Sequence, residues 1–251
     1  MAIDLNGNII ATGDITSVGV FKTKVNKDEL VLSLDSNDKN SYPGTGTVWY
    51  DLSGNGNNGT MNNFSGPSAG STSGFDTTTG YMMFDRHIGG ADGTANNVVT
   101  FSSSASLSDC LGQNGMSMEM WIKITTPVCT AMSKLHGAWE IFYCSTLTHY
   151  TEGSASTTLA GTINSSTYAN FHQLVITHDG INRRIYVNGV HNASDTSIPS
   201  GQSFGSMGLG AYSSGIYAFV GSIPIYRVYS RALSPYEIAE NFQANRGRFG
   251  I

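Results

Sequence analysis

The sequence predicts an all-β protein whose short strands are joined by tight turns, and three observations favour this fold class. Only 12% of the 251 residues are charged, whereas 30 are glycine, a composition that suits turns better than long helices. Apolar runs are short and are bounded by Gly, Asn, Asp or Ser. A convincing helix signal is found only near the carboxyl end. All-β chains of this length are commonly one domain, so the length does not require a division.

Residues 1–29 differ from the remainder and are predicted to form an N-terminal arm, with one domain over residues 30–251. Residues 3–10 have the pattern of a short hairpin or an extended segment, and residues 22–29 are rich in charge. Apolar residues are too few here to close a core. We expect the arm to pack on the main domain or on a neighbouring subunit, and in the second case to serve attachment or oligomerisation.

Strands are predicted from Leu30 onward, each a short apolar run that ends in turn residues. The first of them cover residues 30–34, 81–84 and 97–101. Residues 116–124 alternate between two sets of side chains, which predicts a strand with its methionine face in the core. Glu119 falls on the opposite face, where we expect an exposed carboxylate paired with Lys123 or with another neighbour.

A meander of three antiparallel strands is predicted in the second half of the chain. Residues 171–177 and 184–187 are apolar runs, and the Asp-Gly and Asn-Gly dipeptides that follow them are strong hairpin signals. Residues 220–229 are predicted to form a further strand. Within it, Pro224 lacks a backbone donor and therefore indicates an edge position or a bulge.

The predicted helix closes the chain. Ser234 suits the N-cap, Pro235 suits the first helical position, and Glu237 completes a capping box three residues after the cap. Ile238 and Phe242 are four residues apart, so they share the face that we expect to be buried.

Charge, hydropathy and cysteine usage exclude several classes of function. The formal net charge is −5 and the scattered Lys and Arg form no basic stripe, so no nucleic-acid partner is expected. No apolar stretch approaches the roughly 18 residues of a membrane span, and no membrane partner is expected. Residues 1–20 lack the features of a signal peptide, which indicates synthesis in a cytoplasm. The three cysteines lack metal or redox spacing and are expected to be reduced thiols.

Several segments, taken in order, match one pattern. They are residues 51–57, 84–85, 118–123, 171–180, 185–190 and 228–238. This order resembles the laminin-G-like branch of the concanavalin A-like lectin/glucanase superfamily, from about residue 30 to the carboxyl end. The resemblance implies a jelly-roll sandwich of two antiparallel sheets. Because this sandwich carries enzymes, lectins and passive scaffolds, the fold alone does not decide the function.

A narrower similarity concerns residues 41–44, 49–51 and 246–251, which resemble domains of bacteriophage structural proteins. This similarity implies a virion protein that is made in the host cytoplasm and displayed on a capsid or tail. Its expected partners are other virion proteins, contacted through the arm of residues 1–29, and copies of itself in a homo-oligomer.

Calcium is the cofactor that the resemblance implies, because laminin-G-like domains often hold this ion at a rim of loop oxygens. Asp51 is the first candidate ligand, and Asn55 and Asn57 are weaker ones, since carboxylate and amide oxygens are hard ligands. The alternative for Asp51 is an Asx turn that stabilises its loop. Asp179 is a further candidate at a hairpin tip, where a plain Asp-Gly turn is the favoured alternative. No other cofactor is expected.

A sugar site needs an exposed aromatic platform with polar neighbours. Tyr212 and Tyr217, which flank a Ser-Ser-Gly segment, are the candidates for carbohydrate binding. The alternative is that these two side chains pack between strands or against another subunit.

Catalysis is not expected. Glycoside hydrolysis needs two carboxylates that face one cleft, and the glucanases of the superfamily carry alternating acids on one strand. This sequence has no such run, since Glu119 is followed by Trp121 and Lys123. The leading prediction is a non-enzymatic phage virion protein that decorates a capsid or tail. The alternative is a carbohydrate-binding adhesin that recognises a host surface glycan, and a glycoside hydrolase ranks third.

Overall fold

Two antiparallel sheets form the body of the protein. A computed structural model of the chain describes residues 2–3, 9–10, 24–85, 96–110, 115–126, 130–135, 139–144, 146–150, 158–164, 167–196, 207–211 and 218–251. The strands are β1 (Ala2–Ile3), β2 (Ile9–Ile10), β3 (Leu30–Asp35), β4 (Val48–Trp49), β5 (Gly59–Asn62), β6 (Gly74–Asp76), β7 (Tyr81–Phe84), β8 (Val98–Phe101), β9 (Met116–Ile124), β10 (Thr130–Leu135), β11 (Trp139–Cys144), β12 (Thr146–Tyr150), β13 (Thr158–Asn164), β14 (His172–His178), β15 (Arg183–Val187), β16 (Val190–Asp195), β17 (Met207–Leu209) and β18 (Gly221–Tyr229). The helices are α1 (Ala105–Asp109) and α2 (Pro235–Asn245), and a 3-10 helix follows over Arg246–Phe249.

The two large sheets pack as a sandwich. Sheet I has the strand order β16-β15-β14-β9-β18-β7-β6, and β3 pairs with β18 as well. Sheet II has the order β13-β12-β11-β10-β17-β8-β5-β4. Every pairing between these strands is antiparallel. This architecture is the concanavalin A-like jelly roll that the resemblance implied.

The main hydrophobic core lies between the sheets. Strand β9 contributes Met116, Met118, Met120, Ile122 and Ile124, each at most 1% exposed, which confirms the predicted methionine face. Apolar side chains of β5, β8 and β17 join the same cluster from sheet II. Alternation along a single strand was therefore enough to identify its core face.

The other face of β9 is also buried, because α2 and the 3-10 helix cover it. The ring of Trp121 stacks on Phe249 with centroids 4.4 Å apart and on Phe242 with centroids 5.8 Å apart. Glu119 shares this face and is 0% exposed. The predicted exposure of Glu119 and the pairing with Lys123 were therefore wrong, whereas the alternative of another neighbour is correct, since Glu119 pairs with Arg227 of β18 at 3.1 Å. Alternation shows which side chains share a face, but it does not show what covers that face.

Strand β18 is central in sheet I, with β9 on one side and β3 and β7 on the other. Its register with β9 shifts between Ser222 and Ile225, and Pro224 lies within this irregularity. The carbonyl of Pro224 accepts a hydrogen bond from the N–H of Ser36 at 2.9 Å. Of the two alternatives for this proline, the bulge is confirmed and the edge position is wrong.

Helix α2 begins where the sequence predicts. The Ser234 hydroxyl accepts a hydrogen bond from the N–H of Glu237 at 3.3 Å, and the Glu237 carboxylate accepts one from the N–H of Ser234 at 2.8 Å. Ile238 and Phe242 are buried, as expected. The five-residue α1, which Ser104 caps, was not predicted, because so short a helix shows no apolar period. Neither α-helix of the described part of the chain has the length and apolar character of a membrane-spanning helix.

The two predicted hairpin regions are present. Strands β14, β15 and β16 form the antiparallel meander. At the amino end β1 pairs antiparallel with β2, with Ile3 opposite Ile9, as the hairpin alternative predicts for these two strands. The β1–β2 pair is a separate two-stranded sheet and extends neither sheet I nor sheet II.

Candidate binding site

An open pocket of about 410 Å³ lies where the β14–β15 turn meets the turn that leads into α2. It is lined by Asp179, Arg184, Tyr186, Arg231, Ala232, Leu233, Ser234, Pro235 and Glu237. Its volume falls within the range of about 300 to 1,000 Å³ that is typical of small-molecule sites. Four charged side chains therefore share one concave surface with apolar ones.

The first wall is the β14–β15 turn. Its Asp-Gly sequence folds as an Asx turn, in which Asp179 Oδ1 accepts hydrogen bonds from the N–H groups of Ile181, at 3.0 Å, and Asn182, at 2.7 Å. Gly180 has a φ of 86°, a conformation that favours glycine. Arg184 Nη1 donates to Asp179 Oδ2 at 2.6 Å. The plain turn predicted at Asp179 is thus confirmed, and an ion pair holds Arg184 beside it.

The second wall is the start of α2 and the turn before it. Arg231 donates to Glu237 in a bidentate pair, from Nη2 to Oε1 at 2.6 Å and from Nη1 to Oε2 at 2.9 Å. The same carboxylate closes the capping box with Ser234 and accepts a hydrogen bond from Asn26 Nδ2 at 2.7 Å. The capping motif therefore places a carboxylate and a guanidinium at the pocket.

Tyr186 and Leu233 form the buried part of the lining. Both belong to an apolar cluster that also includes Ile238 of α2. The ring of Tyr186 meets the ring of His191 edge-on, with centroids 5.4 Å apart. Burial raises the pKa of Tyr186, so its phenol is neutral at physiological pH.

Both carboxyl groups of the pocket are ionised at neutral pH. Partial burial acts to raise the pKa of Asp179, but hydrogen bonds from Arg184 and from turn N–H groups outweigh it and hold the pKa well below its usual range. The hydrogen bonds from Arg231 are the main reason that the pKa of Glu237 is lowered to about 2. Neither group is therefore suited to donate a proton at neutral pH.

The three predicted calcium ligands Asp51, Asn55 and Asn57 lie together in one loop. Asp51 Oδ1 accepts from the N–H groups of Ser33 at 2.9 Å and Ser53 at 2.8 Å, and Oδ2 accepts from the N–H of Asn57 at 3.0 Å. The amide groups of Asn55 and Asn57 donate to carbonyls of β3 at 3.1 Å and 2.7 Å. The Asx turn that was the alternative is present, and the chain's own donors occupy Asp51. Calcium binding at this loop stays a prediction.

The remaining predicted positions are less informative. Tyr212 and Tyr217 lie outside the described residues, so the aromatic platform stays a prediction. Within the described parts of the chain, no three His, Cys, Asp or Glu side chains come together as a metal site would require.

Arg184, Arg231 and Tyr186 are site residues that no sequence pattern reveals. Two local signals did mark the walls, the Asp-Gly turn and the capping box, but each of them predicts only a turn or a helix start. The two signals lie far apart along the chain. Only the packing of α2 against sheet I brings them to one pocket.

Comparison with protein families gives one match. Laminin_G_3, described as the concanavalin A-like lectin/glucanases superfamily, matches residues 92–239. This range contains every residue that lines the pocket. No curated protein sequence matches the chain.

Solved structures with the same fold include botulinum neurotoxin domains. One, from work on the interaction of neurotoxin type C with two ganglioside molecules, is 15% identical with a TM-score of 0.60, and the match covers 87% of this chain and 51% of that one. The binding domain of neurotoxin DC in complex with SialylT is 14% identical, with a TM-score of 0.59 and coverage of 87% and 52%. A complex of that binding domain with rat synaptotagmin II is 14% identical with a TM-score of 0.61, and the match covers 87% of this chain and 52% of that one. The chain spans about half the length of these structures, and at such identities the similarity shows the fold alone.

Proposed function

The chain belongs to the concanavalin A-like lectin/glucanase superfamily, and from this we propose that it is a carbohydrate-binding domain that recognises a surface glycan without cleaving it. The pocket between the β14–β15 turn and α2 is the observation that carries this proposal. It presents two ion pairs and a serine hydroxyl beside a tyrosine ring and apolar side chains. Convergent hydrogen-bonding groups beside apolar side chains in one concave surface are typical of sites that bind small molecules with specificity.

The charged groups of the pocket support recognition over hydrolysis. A glycoside hydrolase needs a carboxylic acid that keeps its proton near neutral pH, which requires a raised pKa. Asp179 and Glu237 instead have lowered pKa values, because each accepts hydrogen bonds from an arginine. Charged hydrogen-bonding groups that do not change protonation are well suited to binding hydroxyl groups.

The similar structures add support of a weaker kind. Cell entry of neurotoxin type C is described as dependent on interaction with two ganglioside molecules, and the binding domain of neurotoxin DC is described in complex with SialylT. These proteins support a glycan as the ligand class in general, and the match covers about half of each of them. Because gangliosides and SialylT carry sialic acid, they give no support for a neutral over an acidic sugar.

The full chain should bind at least one oligosaccharide on a glycan array, with the affinity then measured by calorimetry. Arg184→Gln should weaken that binding by about tenfold or more, because it removes charge-assisted hydrogen bonds. Arg248→Gln is the matched control: Arg248 also pairs with a carboxylate, that of Asp35 at 2.7 Å, but it does not line the pocket. Absence of any glycan binding would overturn the proposal, and equal binding by both variants would move the site elsewhere, for example to Tyr212 and Tyr217.

We also propose that the domain is displayed on a virion assembled in the host cytoplasm, with residues 1–29 as the attachment arm. The separate β1–β2 sheet supports this role, because among the described strands it pairs with neither sheet I nor sheet II, and its edges remain for pairing with another chain. Calcium at Asp51 is a further proposal. An unchanged melting temperature with added calcium and with chelator would contradict it.

A further inference from the structure

We propose that the pocket binds an uncharged sugar ring through neighbouring hydroxyl groups and discriminates against anionic sugars. This rests on the proposed function, since it names the ligand class of the same site. Three features of the lining carry it: the balance of charge, the supply of hydrogen-bonding atoms, and the apolar surface beside them.

The charges of the lining cancel in pairs. Arg184 lies 2.6 Å from a carboxylate oxygen of Asp179, and Arg231 lies 2.6 Å from one of Glu237. Arg231 also lies 3.5 Å from Asp28, a third carboxylate. Neither arginine of the pocket therefore offers a positive charge without a carboxylate beside it.

An anionic ligand would meet a negative charge wherever it contacts a positive one. Because the pKa values of Asp179 and Glu237 are both lowered, these carboxylates do not become neutral to accommodate it. A carboxylate of the ligand would have to displace Asp179 from Arg184 or Glu237 from Arg231. Such like-charge contacts are how a site rejects a related ligand.

A hydroxyl group needs no such displacement, because it donates and accepts at once. Within the described residues, only Nη1 of Arg184 donates a hydrogen bond to the protein, to Asp179 Oδ2. In the part of the chain that the structure describes, its Nε and Nη2 groups have no protein acceptor and can donate to a ligand oxygen, while Asp179 Oδ2 accepts one other hydrogen bond, a long one of 3.4 Å from Asn182. Two adjacent hydroxyl groups can accept from Arg184 and donate to Asp179 with the ion pair intact.

The apolar part of the lining is suited to the C–H groups of a sugar ring, which are as much a part of its surface as the hydroxyl groups. Pro235 is exposed and Ala232 is half-buried beside the charged walls, whereas Tyr186 and Leu233, each 3% exposed, form the buried base beneath them. The C–H face of a pyranose can pack on this surface while its hydroxyl groups face the ion pairs. A small, fully charged ligand gains nothing from these side chains.

The test uses the full chain and an array of neutral oligosaccharides, each paired with a counterpart that carries one sialic or uronic acid. The glycans that bind should be neutral, and the added carboxylate should weaken binding by about tenfold or more. Tighter or equal binding of the acidic members would overturn this inference and leave the proposed function standing. Absence of binding to every glycan would overturn both.

A single substitution separates the role of charge from that of shape. Asp179→Asn keeps the side-chain oxygen that caps the turn but leaves Arg184 without its counter-ion, so discrimination against the acidic members should shrink by about tenfold. Asp35→Asn is the matched control, because Asp35 pairs with Arg248 outside the pocket, and its selectivity should equal that of the wild type. An unchanged selectivity in Asp179→Asn would overturn the assignment of the ligand to this pocket.

Discussion

At the scale of residues, Glu119 is a buried charge that hydrogen bonds and an ion pair stabilise. Its carboxylate is 0% exposed and accepts hydrogen bonds from Gln173 Nε2 at 2.9 Å, Asn241 Nδ2 at 2.8 Å and Arg227 Nη1 at 3.1 Å. Three strands of sheet I and helix α2 each supply one of these four residues. A buried ion pair is weak support for stability, but the loss of one partner is costly because the other charge is left unpaired.

Glu119→Ala should lower the free energy of unfolding by about 3 to 5 kcal/mol, because it leaves the Arg227 guanidinium buried without a counter-charge. Urea unfolding followed by fluorescence measures this loss. Glu240→Ala, which removes the partly exposed carboxylate of Glu240 on α2, should change stability by less than about 0.5 kcal/mol. A loss below about 1 kcal/mol for Glu119→Ala would show that the network is not coupled to folding.

His178 should make the protein less stable as the pH falls from its ordinary pKa of 6.5 to about 4. Burial lowers the pKa of His178 to about 4, and the charge of Asp179 only partly opposes this shift. In this window the unfolded chain binds a proton that the folded chain excludes, so stability is lost as the pH falls, by roughly 3 kcal/mol in all. Below about pH 4 this contribution is constant.

Substitution of His178 tests whether this residue causes the loss of stability between pH 6.5 and about 4. Unfolding measured at several pH values should show this slope in the wild type and in His191→Gln, whose side chain is exposed, but not in His178→Gln. The same slope in His178→Gln would mean that another group titrates in the window.

At the scale of elements, α2 has two roles. It covers one face of sheet I, where Phe242 packs on Trp121, and its first turn forms a wall of the pocket. The capping box links these roles, since Glu237 both closes the box with Ser234 and pairs with Arg231. The stability of the helix start and the geometry of the site are therefore coupled.

Ser234→Ala should lower the free energy of unfolding by about 1 kcal/mol, because the helix loses a side-chain acceptor for its first N–H groups. Ser234→Thr, which keeps the hydroxyl, should lose much less. Chemical denaturation of the three proteins measures both differences. If alanine and threonine behave alike, the cap contributes nothing and the helix is held by the packing of Phe242 and Ile238.

At the scale of the whole molecule, the body of the protein holds the end of the predicted arm. The N–H of Asn26 donates to Asn241 Oδ1 at 2.9 Å, its Nδ2 donates to Glu237 at 2.7 Å, and its carbonyl accepts from the Tyr229 hydroxyl at 3.2 Å. Asn26 therefore fastens the arm next to the pocket wall. The division between an arm of residues 1–29 and a domain of residues 30–251 stays a prediction, but these contacts indicate where a deletion can safely end.

Deletion of residues 2–23 should leave the melting temperature unchanged and abolish incorporation into particles or assembly into oligomers. Extension of the deletion through Asn26 should lower the melting temperature, because the buried Asn241 loses a hydrogen-bond partner. Calorimetry and particle pull-down measure the two effects separately. Normal incorporation of the shorter deletion would refute the attachment role.

Local patterns determined much of the fold. The alternation of β9 predicted the methionine face of the core, the Asp-Gly and Asn-Gly dipeptides predicted the meander, and the residues from Ser234 to Glu237 predicted the start of α2. Each of these features depends on side chains within a few positions of one another, so the sequence alone contains the information. The order of such motifs also predicted the superfamily, which the match over residues 92–239 confirms.

Only the tertiary structure decided what covers each surface and which distant turns meet. It buried Glu119 and Trp121 beneath α2, and it joined the Asp179–Arg184 pair to the Arg231–Glu237 pair around one pocket. The physical reason is that periodicity reports the direction of a side chain within its own element. Which residue a side chain contacts depends on packing between elements that lie far apart along the chain. No local sequence pattern predicts that packing.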